Sequence, residues 1–298
     1  MKKYTHPTFA GTGFRVLCIM IIFFSVLRLS AQDLDALLEA ETSDYTDYAV
    51  ATFMGSRVVT GHSVDLMQKK GLDFRIAHHF GSIKEGAEEL YGLDGSNSYF
   101  TVDYGLTDWL NVGVGRATYQ KRVTACMKGK ILRQSTGARN MPLTLSFYGM
   151  VSATTQKFSN EDRNRDFTHR LEYTAQVLIA RKFDHLSLQL SPTYVHRNLV
   201  ETPSDQNDLL ALGISGRYKI SSILDVSAEY FWVNHANTGP VHYYNPLSFA
   251  VSYQVSHHVF QLILTNSTPI AENSALGNTT GSWLDGDVHI GFNISTVF

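Results

Sequence analysis

The sequence predicts an all-β protein, a transmembrane antiparallel up-and-down barrel of about twelve strands, and three observations carry that prediction. Apolar and polar residues alternate with a period of two from Leu72 to the last residue, as expected of strands with two unlike faces. The segments between the alternating runs are long and short by turns, the sorting of membrane barrels with short periplasmic turns and longer outer loops. The last run ends on an aromatic residue, Phe298. Composition agrees, since the 298 residues are 44% apolar and 17% charged, against roughly 25% charged in soluble domains. That balance excludes a disordered chain and a strongly basic nucleic-acid binder. The apolar residues are also too evenly spread for a bundle of membrane helices.

The chain opens on a basic leader with Lys2, Lys3 and Arg15, an apolar run over residues 16–27, and small residues Ser30 and Ala31 before Gln32. This is the form of a secretory signal peptide cleaved after Ala31; the run is too short for a membrane anchor, which needs roughly 20 apolar residues. Removing residues 1–31 takes away Lys2, Lys3, Arg15 and Arg28 and no acid, leaving 21 cationic against 27 acidic side chains, a formal charge of −6. Such a balance argues against nucleic acid. Cys18 leaves with the signal, so Cys126 has no intramolecular disulfide partner. Leu34, Leu37 and Leu38 are spaced for one or two turns of amphipathic helix or a frayed tail. Residues 42–71 are polar, carry scattered glycines and show no sustained period. They read as a periplasmic lead-in or as a segment tucked into a barrel mouth, and residues 32–71 as a whole are expected to form a periplasmic N-terminal segment.

From Leu72 the alternating runs place strands at 72–80, 98–106, 110–118, 127–135, 142–152, 169–183, 186–196, 209–220, 224–233, 246–255, 259–268 and 286–298. Their length exceeds the usual 5 or 6 residues of soluble strands and suits the roughly 9 to 11 of a tilted membrane strand. The weakest is 127–135, where three cations disturb the alternation. Residues 81–97, 119–126, 153–168, 197–208, 234–245 and 269–285 form the long loops, and the other five connections are short. Register follows from the short turns, because opposed residues share a face. Phe183 opposes Leu186, and Ile220 opposes Leu224, which sets Lys219 across from Asp225 as an expected lumen pair. Trp109, Phe183, Tyr218 and Tyr253 fall near the short-turn end and Tyr194, Tyr230, Trp232, Tyr243 and Tyr244 near the other, as two aromatic belts. Pro192 lacks the N–H a ladder needs and predicts a bulge or local break.

On the polar parity the candidate lumen-facing residues are Asp73, Arg75, Glu172, Arg217, Lys219, Asp225 and Glu229. Phe292, Ile294 and Phe298 lie on the lipid-facing parity of the last strand, which resembles the assembly signal read by the barrel-insertion machinery. Catalytic chemistry finds little support. His78-His79 cannot chelate one ion from opposite faces of a strand, His257-His258 lies in a turn, and Asp287 with His289 supplies too few ligands. The string Asn234-His235-Ala236-Asn237-Thr238-Gly239 resembles the motif of outer-membrane phospholipase A, but Asn237 stands where the nucleophilic serine belongs and cannot attack an ester. His62-Ser63 has no orienting acid and reads as a turn.

Several strings together resemble the domain-of-unknown-function 5777 β-barrel family of Bacteroidota. They are Phe53-Met54-Gly55-Ser56-Arg57 with Gly61-His62-Ser63, His78-His79-Phe80-Gly81, Tyr104-Gly105-Leu106-Thr107-Asp108, Arg181-Lys182-Phe183, Pro192 to Asn198, His258 to Leu262 and Gly291 to Ser295. The resemblance runs from about Tyr48 to Phe298. It implies a barrel in the outer membrane of a Gram-negative bacterium and brings no catalytic residues. The expected protein is exported by a cleaved signal peptide and embedded by residues 72–298 in the outer-membrane bilayer. It needs no cofactor or metal and acts as a non-enzymatic, porin-like pore or conduit for small solutes. The alternatives are a lipid-acting hydrolase of the outer membrane and a surface scaffold or adhesin.

Overall fold

The computed structural model describes residues 45–157, 166–200 and 202–298. The targeting segment expected at 1–31 and the short helix expected at 33–41 lie outside the described residues. Fourteen strands occur among those described. Two of them, β1 (Thr46–Tyr48) and β6 (Ser135–Gly137), pair with each other alone. The other twelve form one closed antiparallel barrel: β2 (Leu72–Ser82), β3 (Ser96–Thr107), β4 (Leu110–Ala117), β5 (Arg122–Leu132), β7 (Thr144–Thr154), β8 (Leu171–Lys182), β9 (Leu186–Arg197), β10 (Asp208–Lys219), β11 (Leu224–Val233), β12 (Leu247–Val255), β13 (His258–Thr265) and β14 (His289–Val297). No described helix is long and apolar enough to cross a membrane; the strands are the spanning elements.

Alternation translates directly into two faces. On β10, Leu210, Ile214 and Tyr218 are exposed on the outer wall while Leu209, Ala211, Ser215 and Arg217 are buried inside. An outer wall of Leu, Ile, Val and aromatic side chains matches a lipid surround. The barrel closes where β14 meets β2, with Phe298 and Leu72 exchanging main-chain hydrogen bonds of 2.8 and 3.1 Å. That closure removes the unpaired edge an open sheet would expose.

Boundaries moved where polarity hid the period. Residues 119–126, read as a long loop, contain the first half of β5, and the connection is a tight turn in which Gln120 and Lys121 take positive φ of 49° and 48°. Val123, Ala125 and Met127 face outward there while Thr124 and Lys128 face inward; the polar flanks and the cations masked that alternation. Opposite Ile220 stands Leu224, with Lys219 and Asp225 in register, and Phe183 donates to Leu186 across the two-residue turn. Pro192 keeps its place beside Leu212 on β10, whereas pairing with β8 lapses between Thr193 and Leu190. The register is the same on both sides of the gap, so this is a local break without a bulge. Tyr243 departs from its expected belt: it is buried and bracketed by the Asn237 side-chain amide, which accepts from its N–H and donates to its carbonyl.

Twelve strands enclose more space than their own side chains fill, and two segments occupy the remainder. Residues 52–64 enter from the short-turn end and are largely buried inside the barrel. This corrects the periplasmic placement expected for 32–71: residues 52–64 are a plug within the lumen, because their apolar side chains and main-chain polar groups find partners on the inner wall. From the other end the connection between β13 and β14 folds inward, with helix α1 (Glu272–Asn278) buried over Glu272 to Gly277. The reason is visible in the inner face itself. Tyr148, Leu178, Leu209, Phe231 and Val233 point into the lumen, and apolar groups there are stable only against other apolar groups. Phe53, Val58, Val59 and Val64 of the plug cover one such cluster around Tyr148 and Leu178; Leu276 of α1 covers another around Leu209 and Phe231.

Candidate functional site

The plug is built as a tight hairpin. Arg57 and His62 face each other across an antiparallel bridge, Val58 N–H donates to Gly61 at 2.9 Å, and Ser63 N–H donates to Ser56 at 3.1 Å. The His62-Ser63 pair, read from sequence as a turn, is the return arm. Its imidazole stacks on Tyr148 with 3.6 Å between ring centroids and contacts the Arg57 guanidinium. Before entering, the chain is moored under the short-turn end by β1 and β6 and by Lys182, whose ammonium donates to the Val50 carbonyl at 2.6 Å.

The wall holds this hairpin mainly by its main chain. Arg75 donates to Val59 O at 2.8 Å and Gln261 to Val58 O at 3.0 Å. Lys128 donates to both Ser56 O and Ser63 O at 3.1 Å. At the tip, Thr60 and Gly61 N–H donate to the Glu229 carboxylate at 3.2 and 2.9 Å. Gln189 accepts from Val64 N–H at 2.9 Å and donates to His62 O at 2.7 Å. A buried main-chain group left without a partner would cost about 1–3 kcal/mol, so the polar wall is what permits an irregular segment at membrane depth.

Each candidate lumen residue can now be placed. Asp73, Arg75, Glu172, Arg217, Asp225 and Glu229 are buried on the inner face, and Lys219 is half-buried near the rim. Asp73 accepts from Ser56 of the plug at 3.0 Å and from Ser295 at 2.5 Å. The pair expected between Lys219 and Asp225 is replaced. Arg217, two residues further in on β10, donates to Asp225 at 2.5 Å and also to the carbonyls of Ala51 and Thr52 at 2.9 and 3.3 Å. A planar guanidinium reaches the diagonal carboxylate and the plug at once, which Lys219 at the rim cannot. Glu172 belongs to the other closure: it pairs with Arg122 at 2.5 Å and accepts from Asn273 of α1 at 2.6 Å. Phe292 and Ile294 are partly exposed on the outer face of β14, and Phe298 is exposed beyond its end.

These residues therefore line no open channel. Cavities of about 10 and 20 Å³ remain beside the hairpin, each about the room one water needs. Sequence reading missed Lys128, Gln189, Gln261, Asn293 and Glu272. The available signal was apolar residues on both parities, as in Tyr230-Phe231-Trp232-Val233 and Val177-Leu178-Ile179-Ala180, which a wall with a water-filled interior does not carry.

Among the described residues no group of three or more His, Cys, Asp or Glu could hold a metal ion. His79 is buried against Ser267 O at 2.9 Å while His78 stacks outside on Phe292, the opposite faces that adjacent strand residues require.

A family profile described as a membrane bound beta barrel domain (DUF5777) matches residues 53–298. The chain belongs to that family. The DUF5777 match begins at Phe53, so it takes in the plug together with the wall. No curated protein sequence matches the chain. Among solved structures, the chain is similar to the NanC porin, at 10% identity over 76% of this chain and 98% of that one, with a TM-score of 0.48. An outer membrane channel from Pseudomonas putida F1 gives 13% identity, 78% and 97% coverage and a TM-score of 0.47. Omp33 of Acinetobacter baumannii gives 9%, 77% and 99%, and 0.42.

Proposed function

We propose that this DUF5777 barrel is a non-enzymatic conduit of the outer membrane, reached after signal-peptide cleavage and held shut by its own N-terminal hairpin. The observation that carries the reading is the seat of residues 52–64. The wall around the hairpin is an interior wide enough to need a filler, and it is lined by Arg75, Lys128, Gln189, Glu229 and Gln261, which would face water once the hairpin left. The bonds from Gln189 and Gln261 contribute about 0.5–1.5 kcal/mol each and those from Arg75, Lys128 and Glu229 about 1.5–3, and water can replace them. The hairpin also buries Phe53, Val58, Val59 and Val64 against the apolar wall cluster around Tyr148 and Leu178, so it is held by apolar burial as well as by these bonds. A hydrolase finds no support at the outer rim, where Asn237 is occupied in clamping Tyr243.

The test is conductance in planar bilayers. The intact chain should be silent or nearly so. A variant lacking residues 52–64, whose ends lie close enough for Phe53 N–H to reach Asp65 at 2.6 Å, should conduct steadily, provided its gel mobility shifts on heating as an assembled barrel's does. If that assembled variant stays silent, the conduit reading is wrong, and the long loops with their exposed Leu90, Tyr91 and Leu284 favour a surface scaffold.

A further inference from the structure

The conduit reading leaves its cargo open, and the way the hairpin is held supplies a chemical class. We infer that the lumen is a seat for polypeptide main chain, so that the cargo of the conduit is an extended or hairpin peptide with small side chains, whose place the resident hairpin occupies.

Three features of the seat point this way. The bonds from wall to hairpin go to atoms that every peptide has. The carbonyls of Val58 and Val59 accept from Gln261 and Arg75, and Asn293 adds a bond to Val59 O at 3.3 Å. The N–H groups of Gly61 and Val64 donate to Glu229 and Gln189. Gln189 reads both directions of one strand, accepting from Val64 and donating to His62 O, as a neighbouring strand would. Sheets that take up a peptide gain affinity from the main chain and specificity from side-chain pockets; here side chains play the part of the strand edge.

Second, the hairpin side chains that touch the wall divide into specific and permissive ones. Ser56 donates to Asp73, Arg57 lies 3.9 Å from Asp103, the His62 ring lies over Tyr148 and Phe53 is buried beside Leu178; these contacts distinguish the resident hairpin from other peptides. Val58, Val59 and Val64 sit in apolar cover, at most 1% exposed, where small apolar side chains exchange at modest cost. Third, the seat sets a size limit. A Cβ at Gly61 would stand 2.8 Å from the Glu229 carboxylate and 3.0 Å from the Phe231 ring, so the tip admits glycine and excludes bulk. Sugar hydroxyls both donate and accept, but they do not repeat at the rise of a strand, the spacing at which Gln189 meets His62 O and Val64 N–H.

The inference deepens the conduit reading, and binding and conductance test the two separately. The probe is a fluorescent synthetic peptide with the sequence of residues 52–64, read by anisotropy in detergent against the variant that lacks those residues. It should bind that variant, and the intact chain should bind it at least about ten-fold more weakly because its seat is filled. Peptides with one of Val58, Val59 or Val64 changed to Ala or Thr should bind within about a hundred-fold of the first, the span of one small buried side chain. A peptide N-methylated at the positions of Gly61 and Val64 should bind at least about ten-fold more weakly, having lost both donors, and maltohexaose should not compete. Equal binding of the N-methylated peptide, loss of binding on the Ala and Thr changes, or competition by the sugar would each overturn the inference. Conductance without peptide binding overturns it alone; peptide binding without conductance removes the conduit and leaves the seat.

Discussion

Glu272 shows how a single buried group can set the condition of a closure. It lies on α1, outside the spanning strands, with Gln176 donating to one carboxylate oxygen at 2.7 Å and the His62 main chain bonding to the carboxylate as well. Burial, with the charge of Glu229 adding to it, pushes its carboxyl up to about 7 against the pull of those hydrogen bonds and of Arg57. The seated state therefore holds a proton that the released loop, titrating near the ordinary 4.5, gives up earlier. Seating is fully supported below about 4.5, weakens as pH rises from there through about 7, and changes no further above. Amide hydrogen exchange over residues 270–279, corrected for intrinsic rates, should accelerate between pH 5 and pH 8, and Glu272→Gln should flatten that dependence. An unchanged slope in the variant would assign the effect to another group. Nothing in the local sequence around Glu272 announces this role; it depends on Gln176 and Glu229, both far away along the chain.

Among the elements, the hairpin and the strands were legible to very different degrees. A strand is read from its own residues, because the two-residue period reports which face is wet and which is greasy. Hence the twelve spanning strands follow their expected order, and the main departure is β5, where Lys128 points inward to bind the hairpin and reads as a break in the pattern. The hairpin has no period to read, since its hydrogen bonds are supplied by other elements. Its one strong local sign is Gly61. Gly61→Val would crowd the Glu229 carboxylate and Phe231, at a cost of about 1–3 kcal/mol for overpacking. The expected outcome is an assembled barrel that leaks, read as rare openings of the intact-length chain in planar bilayers and as raised uptake of bulky antibiotics. A tight Gly61→Val barrel would show that the tip is free to shift.

At the scale of the whole molecule, closure is the condition for everything else. β14 pairs with β2 along its length, with a register shift between His289 and Gly291, and the bonds between Phe298 and Leu72 seal the wall at the short-turn end. The assembly role expected for Phe292, Ile294 and Phe298 is checked by Phe298→Asp, which should lower the yield of heat-shifting barrel in cells and raise its periplasmic degradation. Normal insertion would leave the last strand with closure as its task and no signal. The sequence by itself determined the strand count, the lipid-facing parity and the polar identity of Asp73, Arg75, Arg217 and Glu229, because each depends on neighbours one or two residues away. Only the tertiary structure decided that those polar groups grip a peptide instead of lining water. Their partners at Ala51, Ser56, Val59 and Gly61 are remote along the chain, and an enclosed volume too large for the wall's own side chains must be filled by whatever segment can satisfy both its polar and its apolar patches.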